Sequence, residues 1–244
     1  MKKMIISLLA LLAIATTAEA QVEINETNFK DQKFRNYVSN NYDKDKNGTL
    51  STEEIAAVKE MNLFNKSITS LKGIEFFTEL QTLNCLLNQL TELDISQNKK
   101  LYRLECAANR LTALDVSKND KLNYLLCCNN RINGEAMQTL VDGLNTIGGS
   151  KYLYIIDPSS SGEQNVITKK QVKIATSKNW QVYSMAQNGS TQPYEGSDDT
   201  PTGIGSVESG QSTVDSWYSI DGKKLNGEPT KTGVYIKNGK KVVK

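Results

Sequence analysis

Residues 80–100 read L-Q-T-L-N-C-L-L-N-Q-L-T-E-L-D-I-S-Q-N-K-K, and this stretch decides the fold because it recurs along the chain. The next copy, L-Y-R-L-E-C-A-A-N-R-L-T-A-L-D-V-S-K-N-D-K, follows without a gap from Leu101. A shorter copy, L-N-Y-L-L-C-C-N-N-R-I, starts at Leu122, so the period is 21 residues. A degenerate edge copy precedes them and uses Val58, Met61, Leu63, Ile68 and Leu71.

The shared pattern L-x-x-L-x-C-x-x-N-x-L is typical of leucine-rich repeats, in which each copy supplies one short parallel strand and a return segment. One repeat cannot bury its apolar side alone, so successive repeats must stack. We therefore predict an α/β fold, a leucine-rich-repeat solenoid with parallel strands. Asn88, Asn109 and Asn130 fall where each strand ends, and an inward amide there can satisfy backbone groups that water does not reach.

Three of the cysteines, Cys85, Cys106 and Cys127, occupy one column of this repeat. Neighbouring strands lie about 4.8 Å apart, whereas a disulfide needs Cβ atoms roughly 3.8 Å apart. Cysteine also packs well as a small apolar residue, so we expect these side chains in the core, with metal or redox chemistry as the alternative. Cys128 points away from Cys127 and is expected to be an exposed thiol.

Residues 43–54 read D-K-D-K-N-G-T-L-S-T-E-E and fill every position of a twelve-residue calcium loop. Calcium prefers six to eight oxygen ligands, and alternate positions of such a loop direct oxygens to one point. Gly48 allows the sharp turn, and Leu50 ties the loop to a neighbouring strand. The expected Ca²⁺ ligands are Asp43, Asp45, Asn47, the Thr49 carbonyl, Ser51 and Glu54.

An alternative reading of the same loop is a helix capping box formed by Ser51 and Glu54. It accounts for those two residues but not for Asp43, Asp45 and Asn47 at their spacing. Because the sequence contains one such loop and calcium sensors usually pair two, a structural clamp is favoured over a switch, although the loop alone leaves both roles open. Apolar residues at helical spacing flank it, from Phe29 to Val38 before it and from Ile55 to Met61 after it.

Residues 1–20 have a basic start, an apolar run and a small-residue exit, which predicts a secretory signal peptide. The apolar run is shorter than the roughly 20 residues needed to cross a bilayer, so no membrane span is expected. Gln21 stands where a lipid-anchored bacterial protein would have Cys. The predicted location is therefore secreted or cell envelope, at the extracellular or outer surface.

The composition excludes several functional classes. The 244 residues contain no histidine and carry a net charge of +2, which removes Ser-His-Asp triads, imidazole metal sites and histidine bases. A nucleic-acid binder would concentrate Lys and Arg on a folded face, and none is expected here. We predict that the protein is not an enzyme.

The chain divides into five predicted regions. Beyond Arg131, longer strand–helix units are expected as the C-terminal cap of the solenoid, with helices over 134–147 and 168–177 and strands over 152–156 and 180–184. Residues 215–244 alternate apolar and polar residues around D-G and N-G, which predicts hairpins. The regions are a signal peptide at 1–20, a calcium-loop cap at 21–60, the solenoid with its C-terminal cap at 61–185, a flexible linker at 186–214 and a small β-hairpin tail at 215–244.

Residues 29–93 resemble bacterial secreted leucine-rich-repeat proteins in which one EF-hand-like unit, F-R-N-Y-V followed by D-x-D-x-N-G-x-L-S-x-x-E, caps repeats of the form L-x-C-x-x-N-x-L-x-x-L-D-x-S-x-N. The resemblance extends to about residue 185 and implies binding at the cell surface, although the family carries no uniform activity. Residues 233–244, G-V-Y-I-K-N-G-K-K-V-V-K, are similar to the end of a type IX secretion sorting domain, which implies a possible sorting signal.

These observations predict a calcium-stabilised binding scaffold that recognises a protein or glycan ligand with the concave face of the sheet. They leave the oligomeric state open. A calcium-dependent glycan-active enzyme using paired carboxylates such as Asp94 and Asp115 is the alternative, as is a purely structural surface protein. Outward strand positions, with tyrosine and arginine as favoured anchors, place the partner-binding residues at Arg103, Glu105, Tyr124, Leu126, Tyr152 and Tyr154.

Overall fold

The structure is a computed structural model that describes residues 21–198, 217–219, 224–225, 229–230, 234–237 and 240–243. The expected signal peptide at 1–20 and the part of the expected linker from 199 to 214 lie outside the described residues. The chain divides into two compact units, Met1–Asp198 and Asp199–Lys244.

The first unit is a solenoid built on a seven-stranded sheet in the order β3-β4-β5-β6-β7-β8-β9. Strands β3 to β8 pair in parallel, and only β9 is antiparallel. The register keeps Leu83, Leu104, Leu125 and Leu153 side by side. The predicted solenoid is confirmed. Its strands are β3 (Glu60–Asn62), β4 (Thr82–Asn84), β5 (Arg103–Glu105), β6 (Tyr124–Leu126), β7 (Lys151–Ile156), β8 (Trp180–Met185) and β9 (Thr191–Pro193).

One apolar core runs through the solenoid from Phe29 to Val182. The repeated leucines Leu83, Leu104 and Leu125 have no exposed surface. Each strand contributes alternate residues to this core and leaves the others on the opposite face of the sheet, as the two-residue period of a strand requires. The stacking predicted from the 21-residue period therefore forms one continuous interior.

A column of buried asparagines joins successive repeats. The Asn109 amide donates to the carbonyls of Cys85 and Cys106 at 2.9 and 3.0 Å, and its oxygen accepts from the Leu90 N–H at 3.0 Å. Asn130 repeats this arrangement with the next pair of repeats. Each amide thus satisfies backbone groups of two adjacent repeats, as the sequence predicts.

A second polar ladder lies at the far corner of the repeats. The Asn98 amide donates to the Ile74 and Phe77 carbonyls, both at 2.9 Å, and Asn119 donates to the carbonyls of Ile95 and Asn98, both at 3.0 Å. Asn98 and Asn119 are almost fully buried. These hydrogen bonds fix the return segment of each repeat against the preceding one.

The N-terminal cap consists of β1 (Val22–Glu23), α1 (Gln32–Asn41), β2 (Thr49–Leu50) and α2 (Thr52–Ala57). Asp31 caps α1 by accepting from the N–H groups of Lys33 and Phe34 at 2.8 and 3.0 Å. Its other oxygen accepts from the Thr69 N–H and hydroxyl at 2.8 and 2.7 Å. A single carboxylate therefore begins the helix and attaches it to the first repeat.

The helix after the calcium loop is shorter than the predicted run of Ile55 to Met61. It ends at Ala57, and Met61 lies in β3 with its side chain buried in the solenoid core. The helix ends early because Met61 belongs to the strand of the degenerate first repeat. In that strand its side chain packs in the continuous core, and this packing outweighs the helical spacing of the sequence.

Two helices lie between the later strands. α3 (Gly134–Gly143) follows β6, and α4 (Lys169–Ser177) lies between β7 and β8, close to the predicted positions. Lys178 donates from its ammonium group to the carbonyls of Val141 and Asp142 at the end of α3. This cation satisfies carbonyl groups that a helix terminus leaves without partners.

The predicted flexible linker begins too early. Residues 186–198 belong to the first unit, because Ala186 and Gly189 form a turn and β9 then pairs with β8. The Tyr194 N–H donates to the Val182 carbonyl at 2.9 Å, and Tyr194 packs against the core. Few apolar residues occur here, but the backbone hydrogen bonds and this one aromatic ring hold the segment.

The second unit contains a four-stranded antiparallel sheet in the order β11-β10-β12-β13. The pairing of β12 with β13 flanks Asn238, as the N-G signal predicts. All four strands lie within the tail at 215–244 for which the sequence predicts a small β unit. Its strands are β10 (Trp217–Ser219), β11 (Lys224–Leu225), β12 (Val234–Lys237) and β13 (Lys240–Val243).

All four cysteines are free and buried. Cys85, Cys106 and Cys127 lie in the main core, as predicted. The prediction of an exposed Cys128 is wrong: this side chain is 5% exposed, in a smaller apolar cluster on the other face of the sheet. Burial raises the pKa of both Cys85 and Cys128 to about 12.

This burial predicts how the thiols react. Because the thiolate is the reactive form, a disulfide-exchange reagent at pH 8 should modify native protein slowly and should titrate four thiols after denaturation. The measurement is absorbance of the released thiol dye with and without guanidinium. A count of fewer than four reactive thiols in denaturant would contradict the assignment of four free cysteines. One thiol that reacts rapidly in the native protein would contradict their burial.

A second prediction concerns the turn after each repeat strand, where the backbone is left-handed. Asn65, Leu87, Ala108 and Asn129 occupy equivalent positions with φ of 51°, 55°, 52° and 54°. A left-handed residue costs roughly 1–2 kcal/mol unless it is Gly or a tolerated Asn. Leu87 is 49% exposed and so gains little from burial. We expect Leu87→Asn to raise the free energy of unfolding by roughly 1 kcal/mol, measured by urea denaturation.

The matched control for this change is Leu86→Asn. Leu86 is the preceding residue and packs partly against the smaller apolar cluster, so the same new side chain should destabilise the protein there. Equal effects of the two substitutions would show that the left-handed backbone is not the cause.

Candidate functional site

The predicted calcium loop brings its carboxylates together. One oxygen from each of Asp43, Asp45 and Glu54 lies within 4.8 Å of the other two. The loop connects α1 to α2 and contains β2, so a helix fixes each end. Hard cations such as calcium bind clusters of oxygen atoms of this kind.

Asp43 is the buried member of this group, with 2% of its surface exposed. Its two oxygens accept from the N–H groups of Asn47 and Gly48, each at 3.1 Å. Gly48 has a φ of 83°, which a residue with a side chain adopts only with strain. The tight turn that the sequence predicts at this glycine therefore folds the loop around the Asp43 carboxylate.

Glu54 closes the loop and also caps α2. The Ser51 N–H donates to Glu54 at 2.9 Å, and the Glu54 N–H donates to the Ser51 hydroxyl oxygen at 3.2 Å. The Lys44 N–H donates to the other Glu54 oxygen at 2.5 Å. The capping box is thus present, and it remains compatible with the predicted calcium loop, because the last loop residue is also the third residue of the helix.

The pKa of Glu54 follows from these contacts. Partial burial raises it, but the hydrogen bonds from Ser51 and Lys44 outweigh burial and lower the pKa below its usual value. The carboxyl is therefore ionised at neutral pH, as a calcium ligand must be.

The remaining expected ligands lie on the same loop. Asn47 accepts from the Thr49 N–H at 2.7 Å and from the Thr49 hydroxyl at 2.6 Å. Thr49 belongs to β2. It is residue seven of the loop, the position at which a calcium loop supplies a backbone carbonyl as the ligand. The Ser51 hydroxyl donates to Glu54 at 3.1 Å. All six residues expected from the sequence therefore lie on one short segment around the carboxylates.

The face of the sheet opposite the main core, which the sequence predicts to be the concave face, carries two columns of side chains. Strand register places Thr82, Arg103, Tyr124 and Tyr152 in one column. A second column holds Asn84, Glu105, Leu126 and Tyr154. The predicted partner-binding residues therefore share a single surface. Along this surface the side chains are polar on β3, β4 and β5 and mainly aromatic on β6, β7 and β8.

The tyrosines of this face stack along the sheet. The ring centres of Tyr124 and Tyr154 are 5.3 Å apart, and those of Tyr154 and Tyr183 are 5.5 Å apart with ring planes at 25°. Tyr152 also contacts Tyr183, at 6.3 Å between ring centres. We call these four residues the tyrosine stack.

Arg103 extends the stack by one strand. Its guanidinium lies 3.7 Å from the centre of the Tyr124 ring and is ion-paired with Glu105. The Arg103 Nε donates to Glu105 at 2.8 Å. Burial raises the pKa of Tyr124 and of Tyr154, so both phenols stay protonated at neutral pH.

Leu126 requires a correction. It lies on the predicted face, but it is only 6% exposed and forms a small cluster with Ala107 and Cys128. The rings of Tyr124 and Tyr154 pack against that cluster. Leu126 therefore supports the tyrosine stack from below and offers little surface to a ligand.

Sequence reasoning missed Tyr183 as a member of this face. It lies on β8 beside Tyr154, after the helical insertions that interrupt the 21-residue period. The signal that identifies it is the alternation Q-V-Y-S-M from Gln181, in which every second residue shares a face.

Two carboxylates after the last regular repeat were also missed, the buried Asp157 and the partly buried Glu163. Glu163 accepts from the N–H groups of Asn129 and Asp157, each at 2.7 Å. Asp157 accepts from the Asn129 amide at 2.9 Å and from the Ser159 hydroxyl. Burial raises the pKa of Glu163 despite these bonds. The two residues satisfy backbone groups where the regular repeat ends.

Asp94 and Asp115, the carboxylates of the enzyme alternative, line a cavity of about 600 Å³ away from the concave face. Their oxygens accept from the N–H groups of Ser96 and Ser117 at 2.9 and 2.8 Å. These bonds lower the pKa of Asp115, whereas an acid catalyst needs a raised one. This arrangement suits a turn structure.

Within the described ranges, no helix combines the length and the apolar composition required to span a bilayer.

Comparison with known proteins supports the repeat architecture. No family model matches the chain. A stretch of 86 residues is 38% identical to Internalin J of Listeria monocytogenes serotype 4b (strain F2365) and covers 35% of this chain but 9% of that protein. The similarity is thus confined to a small part of the relative.

Solved internalin structures have the same type of fold. Internalin C2 of Listeria monocytogenes superposes with a TM-score of 0.50 at 18% identity, covering 69% of this chain and 70% of the other. The functional domain of InlJ from the same species, described as including a cysteine ladder, gives a TM-score of 0.47 at 30% identity and covers 60% of this chain and 29% of the other. The chain is therefore a leucine-rich-repeat protein similar in fold to bacterial internalins.

Proposed function

We propose that this protein is a non-enzymatic, surface-exposed scaffold that binds a protein ligand through the concave face of its solenoid and is stabilised by calcium at its N-terminal cap. The tyrosine stack with Arg103 carries the proposal. Tyrosine and arginine are enriched among the residues that dominate binding energy at protein interfaces, and here they form one continuous surface on rigid strands.

The rigidity of this surface favours binding. Each tyrosine ring packs against a neighbour on the next strand, as the distances of 5.3 and 5.5 Å show. Their orientation is thus fixed before a ligand arrives. An interface built from such side chains loses less conformational entropy on binding than one built from mobile side chains.

The stacking also favours a protein ligand over a glycan. β6 lies between β5 and β7, so the Tyr124 ring has the Arg103 guanidinium on one side and the Tyr154 ring on the other. Tyr154 is likewise flanked by Tyr124 and Tyr183. A sugar ring packs on an open aromatic face, whereas this stack offers ring edges and hydroxyl groups, which suit the mixed surface of a protein.

Similarity to internalins, at 38% identity over 86 residues of Internalin J, agrees with a scaffold role. The proposed location, outside the cell or on its surface, rests on the predicted signal peptide at residues 1–20 and on this similarity. The tail at residues 215–244 is proposed as a sorting or attachment signal.

Calcium is proposed as a structural clamp. The three carboxylates converge to within 4.8 Å, and like charges at this separation repel unless a cation lies between them. Binding would then stabilise the cap, which encloses one end of the apolar core. Extracellular calcium modules bind at about 10⁻⁴ to 10⁻³ M.

The clamp predicts a calcium-dependent melting temperature. At 100 times the dissociation constant, calcium should stabilise the folded protein by about 2.7 kcal/mol. Glu54→Gln removes the bidentate charge at the end of the loop, so its melting temperature should fall below that of the parent in calcium. Calorimetry with calcium and with chelator measures both. Equal melting of the two proteins in calcium would refute the clamp.

The binding surface predicts a specific loss of affinity. Proteins captured on the immobilised chain from the native habitat should be retained by the parent and lost by the double variant Arg103→Ala with Tyr154→Ala. Removal of such anchors costs about 2 kcal/mol or more each, roughly 30-fold in the dissociation constant. Surface plasmon resonance with the identified ligand measures this change.

The matched control is Tyr102→Ala, because Tyr102 is 40% exposed and adjoins Arg103 in sequence, yet it lies outside the two columns. It should leave the affinity unchanged. Equal binding by all three proteins would remove the concave face from consideration, and retention of polysaccharide by the parent would favour the glycan alternative.

A further inference from the structure

The calcium loop is paired with the first described residues of the chain. β1 runs antiparallel to β2, with Val22 opposite Leu50 and Glu23 opposite Thr49. The Ile24 N–H donates to the Gly48 carbonyl at 3.0 Å. The Thr49 hydroxyl oxygen lies 3.3 Å from the Gln21 side chain. Residues 48–50 of the loop therefore have a partner along their whole length.

This pairing involves the part of the loop that is hardest to position. The Thr49 ligand is a backbone carbonyl, so its direction depends on the backbone conformation of Gly48, Thr49 and Leu50. A strand of two residues is too short to hold that conformation without a neighbour. In calcium sensors a second loop is paired with the first, but this sequence contains a single loop.

The far end of the pairing segment is anchored to the solenoid. From Ile24 the chain turns, with the Phe29 N–H donating to the Asn25 carbonyl at 2.9 Å. Phe29 is fully buried against Phe76 and Phe77. A Cβ placed on Gly73 would lie 2.3 Å from the Phe29 ring, so the first repeat leaves room for this side chain by having glycine there.

We propose that residues 21–24 are a positioning element of the calcium site: they take the place of a second calcium loop and set the affinity of the first. The inference rests on the proposed calcium site. Among the described residues, no hydrogen bond or ion pair joins this segment to the three carboxylates, and it acts by holding residues 48–50 in the extended form that directs the Thr49 carbonyl to the ion.

Such coupling is reciprocal. If the pairing raises calcium affinity by a given factor, calcium must stabilise the pairing by the same factor. Couplings of this kind are typically 5- to 150-fold. Calcium bound in the loop therefore holds the N-terminal segment on the solenoid, and through Phe29 it secures the end of the apolar core.

The test is calcium affinity of Ile24→Pro, measured by isothermal titration calorimetry with calcium chloride as the only ligand. Proline removes the N–H that donates to Gly48 and leaves every carboxylate in place. We expect affinity to fall by about tenfold or more. The control is Glu26→Pro, at an exposed turn position whose N–H makes no hydrogen bond given for the described residues, and it should bind like the parent.

A second measurement does not depend on folding of the variant. In the parent, hydrogen exchange of the Ile24 amide should be slower in calcium than in chelator. The factor should equal the one by which Ile24→Pro lowers calcium affinity. Exchange at that amide unaffected by calcium would overturn the proposal, as would equal calcium affinity of Ile24→Pro and the parent. A parent that binds no calcium overturns both this inference and the clamp.

Discussion

The fold depends on the hydrogen bonds of the asparagine column. A solenoid turns sharply after every strand, and each turn takes backbone groups out of reach of water. One buried amide per repeat satisfies groups of two adjacent repeats, as at Asn109, where the carbonyls of Cys85 and Cys106 and the Leu90 N–H all find their partner. The column therefore fixes the spacing of the repeats, and the side chains on the concave face take their positions from it.

The sequence predicted this column only as far as the period continues. Asn88, Asn109 and Asn130 recur at 21 residues, but the next member is Asn165, which donates to the Cys127 and Ile155 carbonyls and accepts from the Ile132 N–H. α3 and a longer loop separate Asn130 from Asn165, so no periodic signal connects them. The same interruption concealed Tyr183. The first repeats, and the convergence of Asp43, Asp45 and Glu54 in one loop, were predictable because residue type and spacing there determine the local structure.

Burial on the concave face was the feature that sequence pattern predicted least well. Alternation assigns Leu126 and Cys128 to the outward side of the strands, and both do lie there. They are nevertheless covered, because the tyrosine rings above them are large enough to close over a second, smaller core. A period of two residues gives the face of a sheet but not what packs on it. The aromatic part of the face is thus a layer of tyrosine rings, of which Tyr124 and Tyr154 pack directly on an apolar support.

The two ends of the solenoid are closed in different ways, and this difference bears on the location of the predicted calcium loop. At the C-terminal end, the sheet stops with the short antiparallel strand β9, whose Pro193 limits further strand pairing. At the N-terminal end, Phe29 and Phe34 enter the apolar core itself from the cap. A cap that contributes core residues must stay docked, because its departure exposes the first repeat to water. The proposed calcium clamp, in a loop paired with β1, would oppose that departure by stabilising the docked cap.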